Sequence, residues 1–321
     1  MNAPGDAVSR DRHTKGDRHI WKVRLFRQTY HISDLSAGVL LVIPSIVFIV
    51  FVFIFPMIRV VQLSFTNYNM ATGVQDYIGL RNYEYLLEND RFWQALFQTG
   101  IFAAVKLSFE TALALLIALM LDAKVPFKKF LRISYFSPVV VPVVASSLIW
   151  IWFYDPSVGP FNQILSALGI PTLRWLYHES TSLISVLIFS IWKGLGYNII
   201  LFLAGLQNIS DSYVEAARID GASSWKLFWH VKFPLLRPVT SFILMMGIIN
   251  AFKVFSEVNV MTPEGGPLGS TLLMVSYIYE QAFTNGRMGR ACAAAFLLFI
   301  IILILTQIQR SVGAKKTLDL D

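Results

Sequence analysis

Charge is scarce in this chain. Of its 321 residues only 15% are Asp, Glu, Lys or Arg, while 55% are hydrophobic. A water-soluble domain carries about 25% charged residues, so the ordinary soluble classes are excluded. Thiols are scarcer still. The one cysteine, Cys292, stands inside an apolar run, which rules out an internal disulfide and leaves a small core residue as its plain reading. There is no G-x-x-x-x-G-K-[ST] loop, so the chain lacks that cradle for nucleotide phosphates. H-E-x-x-H and C-x-x-C are missing as well, and His13, His19, His31, His178 and His230 stand apart from one another. Catalysis at a membrane needs acids, bases or metal ligands that converge. No such convergence is visible, which argues against an enzyme and against a resident metal.

What the chain has in quantity is apolar length. A bilayer core of about 30 Å takes roughly 20 apolar residues in a helix, because each residue advances about 1.5 Å. Six runs meet that length: Ser36–Val61, Ala95–Leu121, Ile133–Phe153, Leu183–Leu206, Val239–Met261 and Gly289–Gln309. The third holds Pro138 and Pro142, so its helix is expected to bend or break, which is tolerated where protein or a water-filled cavity covers the freed backbone. The first run is too long for a signal peptide, and no small-residue cleavage pattern follows Pro56-Met57-Ile58-Arg59. It reads as a retained anchor.

The net charge of +7 does not point to nucleic acid, because the basic residues flank the apolar runs instead of forming one stripe. Eighteen of the 27 Lys and Arg lie on one side: seven in the N-terminal arm, Lys124, Lys128, Lys129 and Arg132 after the second run, Arg218, Lys226, Lys232 and Arg237 after the fourth, and Arg310, Lys315 and Lys316 in the tail. Five lie on the other, namely Arg81, Arg91, Arg174, Arg287 and Arg290. Basic short loops stay in the cytoplasm, so both termini are expected inside. The fold class is therefore an all-α integral membrane protein with six transmembrane helices. A basic arm (residues 1–35) precedes the membrane domain (36–309), and a short tail (310–321) follows it. The arm's end, Ile20–Arg27, mixes apolar and basic residues; it either lies along the inner membrane surface or simply fixes topology.

One cytoplasmic stretch is unlike the others. Between the fourth and fifth runs, residues 207–237 are charged, Ala-rich and broken by glycine. Ser210-Asp211-Ser212 are good N-cap residues, and Ser212 stands three before Glu215, the spacing of a capping box. A short helix through Val214–Ile219 is expected to end at Gly221, which supplies a left-handed turn. A second segment, Ser223–Lys232, places Trp225, Phe228, Trp229 and Lys232 at helical spacing, and Pro234 and Pro238 close it. Ala216 and Ala217 leave one face nearly bare, with Glu215 and Arg218 beside it for charged contacts. Such a knob suits a cytoplasmic partner.

Here the residues resemble a known family. Glu215-Ala216-Ala217, Asp220-Gly221-Ala222 and Phe233-Pro234-Leu235-Leu236-Arg237-Pro238 resemble the E-A-A cytoplasmic loop of the permease subunits of bacterial ABC importers. Ile78-Gly79-Leu80-Arg81-Asn82-Tyr83, Ile191-Trp192-Lys193, Leu203-Ala204-Gly205-Leu206-Gln207 and Gly265-Gly266-Pro267 are similar to its carbohydrate branch, the maltose-type permeases. The long external insertion of the maltose permease itself is absent. The resemblance implies the type I importer permease fold in a bacterial inner membrane and a transport role without catalysis. It also implies a second homologous permease, two ATP-binding subunits that carry the ATP and Mg, an external solute-binding protein, and no cofactor on this chain. Glu215, Ala216, Ala217, Asp220 and Gly221 would then form the ATPase coupling site. The residue-only alternative for Glu215 is a helix cap.

Charges within spans are costly, about 2.5–3.5 kcal/mol each on insertion scales, and so mark candidates for function. Lys106 and Glu110 are four apart, as are Lys253 and Glu257, and each pair can neutralise itself. Asn250 shares the face of Lys253 and Glu257, a polar stripe on the fifth run. Lys193 has no acid in its own run; Tyr197 stands one turn away, with Asn198 beside it. Lys193, Tyr197, Asn198, Asn250, Lys253 and Glu257 are therefore the expected substrate pathway, against interhelical structural bonds as the alternative. Unpaired cations would favour an anionic cargo, either an anionic oligosaccharide such as alginate oligomers or a sugar phosphate. Two competing readings are an ion-gradient-driven secondary transporter, with Glu110 or Glu257 as the titrating acid, and a membrane scaffold that carries nothing.

Overall fold

Hydrocarbon offers no water to backbone N–H and C=O groups, so an apolar run that enters it must satisfy them internally as helix. The computed structural model, which describes residues 20–25, 28–70, 72–122 and 128–315, follows that rule along its apolar runs. The expected arm residues 1–19, Lys124 and the tail end 316–321 lie outside the described residues. The chain divides into two units, residues 1–59 and 60–321.

The first unit begins with two strands, β1 (Ile20–Leu25) and β2 (Gln28–Ser33), paired antiparallel with Trp21 opposite Ile32 and Val23 opposite Tyr30. Trp21, Val23 and Leu25 alternate with Lys22 and Arg24, which is a strand's period of two and not a helix's 3.6. Helix α1 (Asp34–Ile49) follows, then a π turn over Val50–Ile54 and the start of helix α2 (Phe55–Ser64), which runs past the boundary at residue 59. The widened turn sits just ahead of Pro56, which has no N–H with which to continue the ladder.

The second unit holds the remaining elements. The short outer helix α3 (Arg81–Glu88) leads into α4 (Asp90–Asp122), 33 residues long. Helices α5 (Lys128–Val140) and α6 (Val143–Phe153) form the third run and meet at 111°. The expected break thus falls at Val141-Pro142. Beyond the short α7 (Pro160–Ala167), α8 (Glu179–Gln207) is the fourth span. Three short helices make up the cytoplasmic stretch: α9 (Asp211–Ile219), α10 (Ser224–Leu227) and α11 (Phe233–Leu235). The fifth span, α12 (Arg237–Phe252), stops nine residues short of the expected end, and a separate helix α13 (Ser256–Met261) follows. Helix α14 (Met274–Tyr279) and the sixth span α15 (Met288–Lys315) complete the chain.

Apolar surface is turned outward on the spans, as lipid allows: Phe97 and Met120 on α4 are 70% and 69% exposed. The buried faces are small or aromatic. Towards the cytoplasm Ala114 and Ala118 of α4 meet Ile199, Phe202 and Leu206 of α8, with Leu236 and Ile243 from the fifth span's start. On the opposite side Trp150 and Tyr154 at the end of α6 stack with Phe161, Trp175 and Phe189. Nearer α15, Phe92 and Tyr277 pack with Ala293 and Ala294. Close packing of α4 against α8 is what brings the intramembrane polar residues together.

Candidate functional site: a coupling segment and a polar cavity

Ser210 caps α9, accepting a hydrogen bond from the Ser212 N–H at 3.4 Å. Ser212 lies inside the helix, so the expected capping box does not form and Glu215 has no capping partner in Ser212. Sequence spacing allowed either serine; Ser210 takes the role because its backbone is extended (φ −62°, ψ 134°). The helix ends as expected at Gly221, whose φ is +76°. There the Ala222 N–H donates to the Ala217 carbonyl at 2.9 Å and the Gly221 N–H to the Arg218 carbonyl at 3.0 Å, the two bonds of a Schellman ending.

Glu215, Ala216, Asp220 and Gly221 are exposed and Ala217 half-buried. Around them stand apolar side chains that the fold leaves uncovered: Ile219 at 85% exposure and Trp225 at 71%. The rear of the segment is anchored. Leu227 and Leu236 are buried, and Lys232 Nζ lies 3.0 Å from Asp122 Oδ2 at the cytoplasmic end of α4. The segment is a projection anchored to α4 by Lys232 and to the core by Leu227 and Leu236.

Within the membrane, α4, α8 and α12 enclose a cavity of about 290 Å³. Four of the six expected pathway residues line it: Lys193, Tyr197, Asn198 and Asn250. Lys253 and Glu257 do not. The helix ends at Phe252, with Lys253 as its C-cap, so the four-residue spacing no longer places Lys253 under Glu257, and no salt bridge joins them among the described residues. The expected Lys253–Glu257 pair and the single polar stripe are both corrected. Glu257 instead accepts from Ser190 Oγ at 3.2 Å.

The other intramembrane pair does form. Lys106 Nζ lies 3.1 Å from Glu110 Oε2, and Asn198 Nδ2 donates to Glu110 Oε1 at 2.8 Å. Lys106 also donates to the Ser190 carbonyl at 3.1 Å. Glycine at position 194 makes this possible, since a Cβ there would collide with the Glu110 carboxylate. Ser190 and Gly194 were not legible as site residues, being small residues in an apolar run. Lys193, expected to be unpartnered, donates to the Pro138 and Val141 carbonyls. In a continuous helix the Pro138 carbonyl would accept from residue 142, and that residue is proline. Lys193 therefore supplies the donor that Pro142 lacks and clasps the broken third span to α8.

Chemically the cavity offers hydroxyl, amide and ammonium groups without a reactive constellation; among the described residues no group of His, Cys, Asp and Glu could hold a metal. Groups of these kinds can hydrogen-bond a polar solute. A helical membrane permease is the class that spans, cavity and cytoplasmic projection define together. The chain belongs to the family of binding-protein-dependent transport system inner membrane components, whose model matches residues 110–317. It is 35% identical over 280 residues to the multiple sugar-binding transport system permease protein MsmF of Streptococcus mutans serotype c, covering 86% of this chain and 94% of that protein. It is 32% identical over 279 residues to the arabinooligosaccharides transport system permease protein AraP of Bacillus subtilis (strain 168), covering 86% and 88%. Among solved structures, a bacterial ABC transporter involved in the import of the acidic polysaccharide alginate shares its fold, with a TM-score of 0.78, 21% identity and coverage of 87% of this chain and 95% of that one. The chain is thus an inner-membrane transport component of a binding-protein-dependent system rather than an enzyme.

Proposed function

We propose that this chain is one of two homologous permeases in an ATP-driven importer, and that it passes a carbohydrate, delivered by an external binding protein, through the cavity between α4, α8 and α12. ATP and Mg would act on two separate ATP-binding subunits, one of which receives α9 with Glu215, Ala216, Ala217, Asp220 and Gly221. The observation that carries this reading is the physical line from projection to cavity. Exposed α9 turns through Gly221 into a segment that Lys232 ties to Asp122, and Asp122 ends the same helix that holds Lys106 and Glu110. Movement of the segment is movement of the cavity wall.

For the cargo we propose an anionic oligosaccharide such as alginate oligomers. The cavity's charged lining is two ammonium groups, Lys106 and Lys193, against one carboxylate, Glu110, and the fold is shared with an alginate importer. Tyr197, Asn198 and Asn250 would meet hydroxyls in either a neutral or an acidic sugar. Vesicles containing the complete importer, given arabino-, malto- and uronic-acid oligosaccharides with their binding protein, are expected to accumulate the uronates. Accumulation of neutral oligosaccharides alone would overturn the anionic cargo and leave carbohydrate import standing.

A further inference from the structure

A second hollow, of about 320 Å³, opens on the side of the fold opposite the coupling segment, between the start of α4, α13 and α14 with the π turn Glu280–Thr284 that continues it. Its wall is of two kinds. One is polar: Arg91 and Glu280, paired at 2.7 Å, with Asn259, Thr262 and Ser276. Ser276 Oγ is buried and has no hydrogen-bond partner among the described residues. An unpaired buried hydroxyl is costly, and a bound hydroxyl would relieve it.

The other kind is aromatic. Tyr279 lines the hollow and is the middle ring of a row, 5.1 Å from Phe255 and 4.9 Å from Phe283, with the planes tilted by 39° and 38°. Phe283 and Thr284 line an adjoining hollow of about 360 Å³, and Thr284 is common to both. A row of tyrosine and phenylalanine near a membrane surface often serves only as an interfacial belt. Here the middle ring looks into a polar hollow whose frame is held in place: Thr271 Oγ1 donates to Thr262 Oγ1 at 2.8 Å, and the Thr271 N–H to the Gly265 carbonyl at 2.8 Å.

A wall with flat apolar faces on one flank and hydroxyl, amide and paired-charge groups on the other matches one kind of solute well. A sugar ring presents C–H groups on its faces and hydroxyls at its rim, so the aromatic rings cover the first and the polar groups bind the second. We propose that this hollow is a saccharide subsite that holds a ring of the cargo at the outer mouth, before it enters the cavity at Tyr197 and Asn198. The proposal rests on the carbohydrate reading above. Glu264 and Glu280 outnumber Arg91 among its charged groups, so recognition runs through ring faces and hydroxyls, which neutral and acidic sugars share.

The test uses the complete importer in vesicles with its binding protein and diazirine-tagged arabinotriose, maltotriose and a tri-uronate. The sugar that is taken up is expected to photolabel peptides bearing Tyr279 and Phe283. Phe283→Ala, at an exposed position, and Tyr279→Ala are each expected to lower that label and raise the KM of uptake roughly five-fold with maximal rate kept, the scale of one lost aromatic face. Ser276→Ala, which removes the orphan hydroxyl without opening the fold, is expected to raise KM as well. Uptake with label confined to the Tyr197 cavity, and KM unmoved in all three variants, would overturn the subsite and leave the carbohydrate reading intact. Uptake of none of the three sugars would overturn both.

Discussion

With Gly221 replaced by proline, ATP-driven uptake is expected to fall by about a hundredfold or more while the chain still inserts and folds. Two local facts set that size. Gly221 sits at φ +76°, and proline is fixed near −65°. The Gly221 N–H donates to the Arg218 carbonyl at 3.0 Å, a bond proline cannot make. A misfit of this kind costs about 3 kcal/mol or more, and each 1.4 kcal/mol is a factor of ten. The damage stays local, because nothing lies within 4 Å of a Cβ built at this position. Gly221→Ala keeps the N–H and meets only the left-handed strain of about 1–2 kcal/mol, so its loss is expected to be about tenfold. Attachment of the ATP-binding subunits, read by co-purification, should follow the same order. Normal attachment and uptake in Gly221→Pro would show that the turn transmits nothing.

The second large effect is expected at Lys193. Lys193→Met leaves the Pro138 and Val141 carbonyls without the donor that now serves both. A buried carbonyl left unpaired costs about 1–3 kcal/mol; the Pro138 bond is half-buried and the Val141 bond exposed, so the loss is expected to come mainly from Pro138, with water serving Val141. Thermal unfolding of the purified chain should shift down by several degrees and uptake should fall about tenfold or more. Lys193→Arg is expected to restore part of both, since a guanidinium can also donate to two carbonyls. Pro142→Ala gives the cycle its discriminating arm. It returns an N–H at position 142, able to serve the Pro138 carbonyl, so in the Lys193→Met background it should recover stability while straightening the third span and leaving uptake low. If Lys193→Met instead left stability untouched and altered only the preference for acidic sugars, the lysine would be reading cargo and not holding the break.

These two residues also show how far the sequence could be read. Gly221 was legible because its signal is local: an Ala-rich helix, a glycine and two prolines within one short stretch. Lys193 was visible as a charge in an apolar run, but its partners stand 52 and 55 residues away, and nothing in the local pattern brings α5 to α8. Pro142 announced a break, and only packing decided that the halves would meet at 111°. The failure at Lys253 and Glu257 has a similar origin. Helical spacing assumed that the fifth span ran on to Met261, and no glycine or proline between Phe252 and Ser256 warned that it would stop. Lys106 and Glu110, by contrast, lie well inside the 33-residue α4, and there the four-residue spacing yielded the pair it should. Ser190 and Gly194 matter through what they leave room for, which a sequence does not display.

The central claim is that force generated by ATP hydrolysis elsewhere reaches this chain's cavity through the segment around Gly221. The most direct measurement is uptake of labelled oligosaccharide into vesicles holding the complete importer, with ATP and an imposed ion gradient varied independently. Uptake that requires ATP and persists when ionophores collapse every gradient is the predicted result. Uptake driven by a proton or sodium gradient in the absence of ATP would contradict the account and make Glu110 or Glu257 the working acid of a secondary transporter.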